Sequence, residues 1–339
     1  MSITPHPPSA ARNTLLLVAG VLVLSGLFLA SLASGVRDIS LPDIARAFFA
    51  HDPFDVDHII VTTTRLSRSV IAVVVGACLA VAGVLMQAMT RNPLASPSIF
   101  GINAGAMFFI VMAGAFMPMK SFEHMMWAAF AGAATAGALV GMLGTSKGTR
   151  TFSLRIVLAG AAVTAMFVAF TQALLVVNQD GLDSILFWLA GSTAQRRLPD
   201  VLPMLPYMLI PLAGALLLAR EVDVLAAGDD IAVGLGQNTM WTKALIAVAT
   251  VCLAGGAVAL AGSIGFVGLV VPHMMRRVVG PGHKWLLPSC ALFGAILLLA
   301  ADVLSRLVIA PAELPIGAIT AMLGAPVFIA LIRRGMRHG

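Results

Sequence analysis

Ten long apolar runs, separated by short polar connections, constrain this chain more than any single motif does. They cover residues 14–34, 69–89, 98–117, 122–143, 154–177, 201–219, 240–261, 264–279, 285–308 and 316–333. Most approach or exceed the roughly 20 residues a helix needs to cross a bilayer. Only 11% of the 339 residues are charged, against roughly 25% in a soluble domain. So few ionised side chains cannot cover a water-exposed surface of this size, which excludes a soluble enzyme. The expected fold is an all-α polytopic membrane protein of about ten transmembrane helices. Residues 14–334 form one membrane domain, flanked by tails at 1–13 and 335–339. The first run is longer than a secretory h-region of about 7–15 residues, so it is read as an uncleaved span.

The few charges orient these spans. Net charge is +6, which in a soluble chain would point to nucleic acid. Here the basic residues sit in loops. With both termini inside, 13 of the 21 lysines and arginines fall on the inner side, and 11 of the 15 acids lie outside or near an outer span end. That is the positive-inside bias. Cys78, Cys252 and Cys290 lie in apolar runs without a CxxC or a histidine at ligand spacing, and are read as small core residues.

No catalytic constellation, phosphate-binding loop or row of His, Asp or Glu along the spans is present, which argues against a bare-ion or proton-coupled path. Gly76-Ala-Cys-Leu-Ala-Val-Ala-Gly83 echoes Gly255-Gly-Ala-Val-Ala-Leu-Ala-Gly262, on the second and seventh spans. Two inverted five-helix halves would produce such an echo, as would chance between Ala/Gly-rich helices. Glycines at 101/105, 132/137/141 and 262/265/268 suggest close helix packing. Two outer segments are long enough for structure. Residues 35–64 hold an amphipathic stretch, Leu41 to Phe49. Residues 178–200 hold an apolar stretch around Trp188, read as interfacial.

Polar and irregular sequence gathers at span ends. Arg91-Asn92-Pro93-Leu94-Ala95-Ser96-Pro97, with Gln87 one turn earlier, is either the inner mouth of a pathway or an ordinary interhelical turn. Gly228-Asp229-Asp230-Ile231-Ala232-Val233-Gly234-Leu235-Gly236 has acids at its start and glycine at its end. That pattern predicts a helix of about two turns, either a docking knob or a solvated connector. His273 sits beside Arg276 and Arg277 at a span end. Asp302 and Arg306 stand in the favourable order for an internal pair.

Together, Arg65-Leu-Ser-Arg68, Gly76 through Gly83, Gln87, Arg91-Asn-Pro-Leu-Ala95 and Gly101 resemble the signature of FecCD/BtuC-type permeases. The likeness continues through Leu158-Ala-Gly160, Phe187-Trp-Leu-Ala-Gly-Ser192, Gly265 to His273, Glu313-Leu-Pro-Ile-Gly317 and Gly324-Ala-Pro326. The resemblance implies the membrane subunit of an ATP-binding-cassette importer for ferric siderophores, with haem or cobalamin as alternatives. It implies a dimer of permease subunits, whether two copies or two paralogues, and two separate ATPases that use ATP and magnesium. It also implies a periplasmic binding protein, and no cofactor in this chain. It assigns ATPase coupling to Gly228, Asp229, Asp230, Ala232, Leu235 and Gly236, within a loop at about 220–239. It assigns binding-protein docking to Arg65, Arg68 and Arg306, and the gate to Asn92, Pro93, Thr151 and Ser153 with Gln87. An ion-coupled secondary transporter is the rival, with Asp302 its one candidate coupling residue.

Overall fold

The computed structural model describes residues 10–116, 122–144, 152–177, 188–194, 196–310 and 312–335. Among these there is no strand, and thirteen α-helices of six residues or more organise the chain, with shorter turns at Val56–Ile59 and Leu198–Val201 leading into two of them. They are α1 (Ala10–Ala33), α2 (Leu41–Phe49), α3 (Leu66–Thr90), α4 (Ile102–Phe116), α5 (Phe122–Gly144), α6 (Phe152–Val177), α7 (Leu205–Leu217), α8 (Ala219–Ala226), α9 (Asp229–Gly234), α10 (Thr239–Ala261), α11 (Val267–Val279), α12 (His283–Leu307) and α13 (Ile316–Gly335). Among the described residues, seven segments are long and apolar enough to cross a membrane. Two shorter apolar helices accompany them, Ile102–Phe116 and Ile316–Ile329.

Several boundaries differ from the apolar runs, each for a local reason. The second span begins outside its run, as Val56–Ile59 and a wide π turn at Ile60–Arg65 lead unbroken into α3. Thr62 and Thr63 return their hydroxyls to the carbonyls of His58 and Ile59 there, at 2.8 and 2.6 Å. Such side-chain bonds compete with the regular ladder. The third span starts late, because Pro97 and Gly101, at φ +73°, keep 97–101 irregular. The eighth is reduced to the 13 residues of α11 by positive φ at Gly262 and Phe266.

The helix α3 is the centre of the bundle. Its apolar window is 89% buried, against 17% for α1, whose side chains face outward. Lipid supplies no hydrophobic drive between helices, so close backbone contact does the work. A Cβ on Gly76 would stand 2.3 Å from the Gly294 carbonyl oxygen, and one on Gly83 would stand 1.9 Å from that of Gly268. Gly105 and Gly132 meet in the same way, at 2.4 and 2.1 Å. Gly137, Gly141 and Gly265 meet nothing within 4 Å, so the glycine pattern overstated the packing there. One echoed pair takes corresponding seats, Gly76 on α3 against α12, the ninth span, and Gly255 on α10 against Phe130 and Ala133 of α5, the fourth; the other does not, since Gly83 meets Gly268 of the eighth span and Gly262 meets Trp188 and Gly191.

The stretch around Trp188 is described from residue 188 onward. Residues 188–194 are tucked between the end of α10 and the start of α13. The Ser192 N–H donates to the Ala261 carbonyl at 2.9 Å, and glycines at 191, 262 and 317 remove the Cβ atoms that would collide. The rest of that stretch, 178–187, lies outside the described residues.

Candidate functional site

The connection between α7 and α10 builds a compact knob. Where α7 ends, Leu218 turns the chain into α8, which buries Ala219, Val222 and Leu225 along one face. Gly228 then adopts φ +126°, with an Arg91 guanidinium nitrogen 3.4 Å from where its Cβ would stand. A side chain at 228 would meet both backbone strain and that arginine. From there α9 runs only six residues, with Asp229 and Asp230 in its first turn. Gly228, rather than an aspartate, occupies its N-cap, and no side chain caps it. The aspartates therefore act on the positive end of the helix dipole rather than as caps. At the exit, the Gln237 N–H reaches back to the Ala232 carbonyl at 2.9 Å, and Gly236 takes φ +80°. This is the Schellman pattern that glycine favours.

The knob presents apolar side chains outward: Ile231, Val233 and Leu235 are 53, 61 and 69% exposed. Ala232, expected among the coupling residues, is fully buried and seats the helix on its own chain. Asp229 is engaged too, with its Oδ2 2.7 Å from Lys243 Nζ on α10. Of the outward apolar three, only Leu235 stands among the expected residues. Ile231 and Val233 join it, and their signal in the sequence is two apolar side chains flanking a small one.

Two residues that no local pattern marks tie the knob to the bundle. Asp223 on α8 accepts from the His283 backbone N–H at 3.0 Å and lies 2.6 Å from its Nδ1. His283, the first residue of α12, is buried. The exposed Asp229–Lys243 pair is of a class worth about 0.2–1 kcal/mol. Asp223 is about as exposed as Asp229, at 44 against 43%, but it holds two nitrogens of a buried residue, which makes the tie to α12 the firmer one.

The turn after α3 closes on itself. Arg91 adopts φ +51° as its C-cap, and Asn92 Oδ1 accepts from the Leu94 N–H at 2.9 Å. Pro93 is exposed. Gln87 does not line an opening: it is buried, and its Nε2 donates to the Gly268 carbonyl at 3.3 Å, bridging α3 to α11. Thr151 lies outside the described residues. Ser153 lies in the first turn of α6, and its side chain is outside the description.

At the opposite end the three arginines turn inward, each 5% exposed. Arg65 donates to the carbonyls of Leu32, Ala33 and Arg37. Arg306 donates to those of Ser31 and Ser34, both at 3.1 Å. Together they satisfy the last carbonyls of α1, which no helical N–H can reach, and place positive charge at the negative end of its dipole. Arg68 grips Glu313 at 2.7 Å and Asp302 at 3.1 Å. Asp302 is fully buried, lies 2.9 Å from Arg306 and accepts from the Thr193 hydroxyl at 2.6 Å. The expected docking rim is thus an internal clasp in this chain, because α1 ends there with carbonyls to cap. Asp302 is spent on it and is not held ready for a coupling ion. Nearby, Arg196 lies 4.4 Å over the Phe122 ring. Burial lowers its pKa to about 10 against an opposing pull from Asp200, which leaves it charged at neutral pH.

A bundle of apolar helices with close glycine contacts, a clasp of buried charges at one end and an apolar knob at the other, is the architecture of a multi-pass membrane protein. The sequence profile of the FecCD transport family matches residues 21–334, and the chain belongs to that family. It is 43% identical to a Bacillus subtilis protein named as a probable siderophore transport system permease, YfiZ, over 97% of this chain and 98% of that one. It is 38% identical to the Escherichia coli ferric enterobactin transport system permease protein FepD, over 98% and 99%. A solved structure assigned to the metal-chelate type of ABC transporter, in an inward-facing conformation, superposes with a TM-score of 0.81. It is 30% identical and covers 94% of this chain and 99% of that one.

Proposed function

We propose that this chain is the permease subunit of an ATP-binding-cassette importer that carries a metal chelate, a ferric siderophore, across the inner membrane. The observation that carries the reading is the knob: three exposed apolar side chains on a helix pinned at both ends, in a loop between two membrane helices. A solvated connector has no need to hold Ile231, Val233 and Leu235 in fixed array, whereas a groove on a partner has. In this reading two ATPase subunits hydrolyse magnesium–ATP and receive the knob. A second permease, copy or paralogue, completes the pathway, and a periplasmic binding protein supplies the chelate. Both termini lie in the cytoplasm, and residues 14–334 act as one membrane domain. Siderophore cargo is favoured by the relatives named for siderophore and enterobactin transport. An ion-coupled carrier is disfavoured, since Asp302 already faces Arg68 and Arg306.

The test is co-purification. Ile231→Asp combined with Val233→Asp leaves the buried seat at Ala232 intact but places charge on the outward face. The expected result is loss of the ATPase from the complex and loss of ATP-driven ferric siderophore uptake in vesicles, while the permease itself still folds. Retention of both sinks the docking assignment.

A further inference from the structure

The knob rests on α8, and α8 touches the bundle at a second point that the docking role does not use. The Gln237 Nε2 donates to the Glu221 carbonyl at 2.9 Å, which joins the exit of α9 to α8. Two residues further along α8, Asp223 Oδ1 accepts from the His283 backbone N–H at 3.0 Å and lies 2.6 Å from its ring Nδ1. No side chain of its own segment caps α12. Asp223 does so from another helix, so α8 cannot shift without either dragging the first turn of α12 or exposing its free N–H groups.

What α12 is attached to decides where such a shift goes. Gly294 and Gly76 meet backbone to backbone, each Cβ position 2.3 Å from the other's carbonyl oxygen. At the far end Asp302 holds Arg68 of α3, and Arg306 holds the carbonyls of Ser31 of α1 and of Ser34 just beyond it. Gly20 of α1 packs under Leu292. Helices in contact at both ends and the middle do not flex separately, because packed interiors move as units. We infer that Asp223 and His283 are positioning residues for energy coupling. They form the joint through which motion of the knob carries α12, and with it α1 and α3, as one body.

This inference rests on the reading of α9 as the ATPase contact. The test uses the assembled complex, with Cys252 replaced by serine and pairs of spin labels on introduced cysteines. One pair joins Arg220 on α8 to Leu307 at the outer end of α12. The other joins Leu307 to Leu158 on α6, which packs outside this body. In the unmodified joint, MgATP is expected to shift the Leu307–Leu158 distance and leave the Arg220–Leu307 distance constant. With Asp223→Ala, the Arg220–Leu307 distance is expected to become nucleotide-dependent while the ATPase still co-purifies. Asp223→Asn, which keeps an acceptor oxygen, is expected to restore constancy. An Arg220–Leu307 distance that responds to MgATP with the joint intact, or stays constant in Asp223→Ala, overturns the joint. Loss of the ATPase from Asp223→Ala also overturns it, since Asp223 would then serve docking itself. If neither distance responds to MgATP in the unmodified joint, the reading of α9 falls and the joint falls with it. Should the Asp223→Ala permease itself fail to fold, so that no membrane-inserted chain is recovered, an oxidised Asp223→Cys/His283→Cys pair is measured instead. Sustained ATP hydrolysis with a constant Arg220–Leu307 distance supports the joint, and hydrolysis lost on oxidation and regained on reduction overturns it.

Discussion

Asp302 shows how strongly a single buried charge can be committed. Its two oxygens face two guanidinium groups, and a third partner, the Thr193 hydroxyl, completes the site. Removing one member of a buried ion pair costs about 3–5 kcal/mol, mostly through the charge left behind. Asp302→Ala leaves Arg68 and Arg306 both short of a carboxylate, so a loss of this order is expected in thermal unfolding of the detergent-solubilised chain. Glu313→Ala should cost less, because that carboxylate is about one-third exposed and water can replace it. A larger loss at Glu313 than at Asp302 would contradict the clasp. Only part of this was legible from sequence. Asp302 and Arg306 stand four apart on one helix and announce their pairing. Arg68 lies 234 residues away in sequence, and nothing local links it to Asp302.

Glycine spacing in the helices carries a similar lesson. Small residues recur in α3, α5 and α10, yet spacing alone does not distinguish a glycine under another backbone from one facing open space. Gly83→Ala would push α3 off the Gly268 carbonyl, and overpacking of this kind costs about 1–3 kcal/mol. Gly137→Ala meets nothing within 4 Å, and should be neutral or stabilising by up to about 1 kcal/mol, the helix-propensity difference. Thermal unfolding of the two variants side by side checks the contrast, and equal shifts would refute the packing described for α3 and α11. The knob is the opposite case. Its acids, its glycines and its short length were all readable, because capping and turn chemistry are local. Which side chains it shows outward depends on how Ala232 seats, and that is set by α8 and α10.

For the molecule as a whole, the charge asymmetry predicts which end faces which compartment. Cysteine introduced at Leu235, on the knob, should react with an impermeant maleimide only in inside-out vesicles. Cysteine at Phe54, 91% exposed beyond the other end of α1, should react only in right-side-out ones. The reverse pattern would invert the topology proposed here and with it the ATPase contact.

The sequence by itself determined that this chain is a helical membrane protein, roughly where its spans lie, and where the loop between α7 and α10 would form a short helix with acids at its start and glycine at its exit. These are properties of hydropathy, turn residues and near neighbours, which act over a few turns of chain. Only the tertiary structure decided that Arg65, Arg68 and Arg306 face inward, that Gln87 bridges two helices, and that Asp223 caps α12. A guanidinium or a carboxylate in a membrane protein must find a partner, but the partner is chosen by which helix ends arrive beside it. Sequence separation carries no record of that arrival.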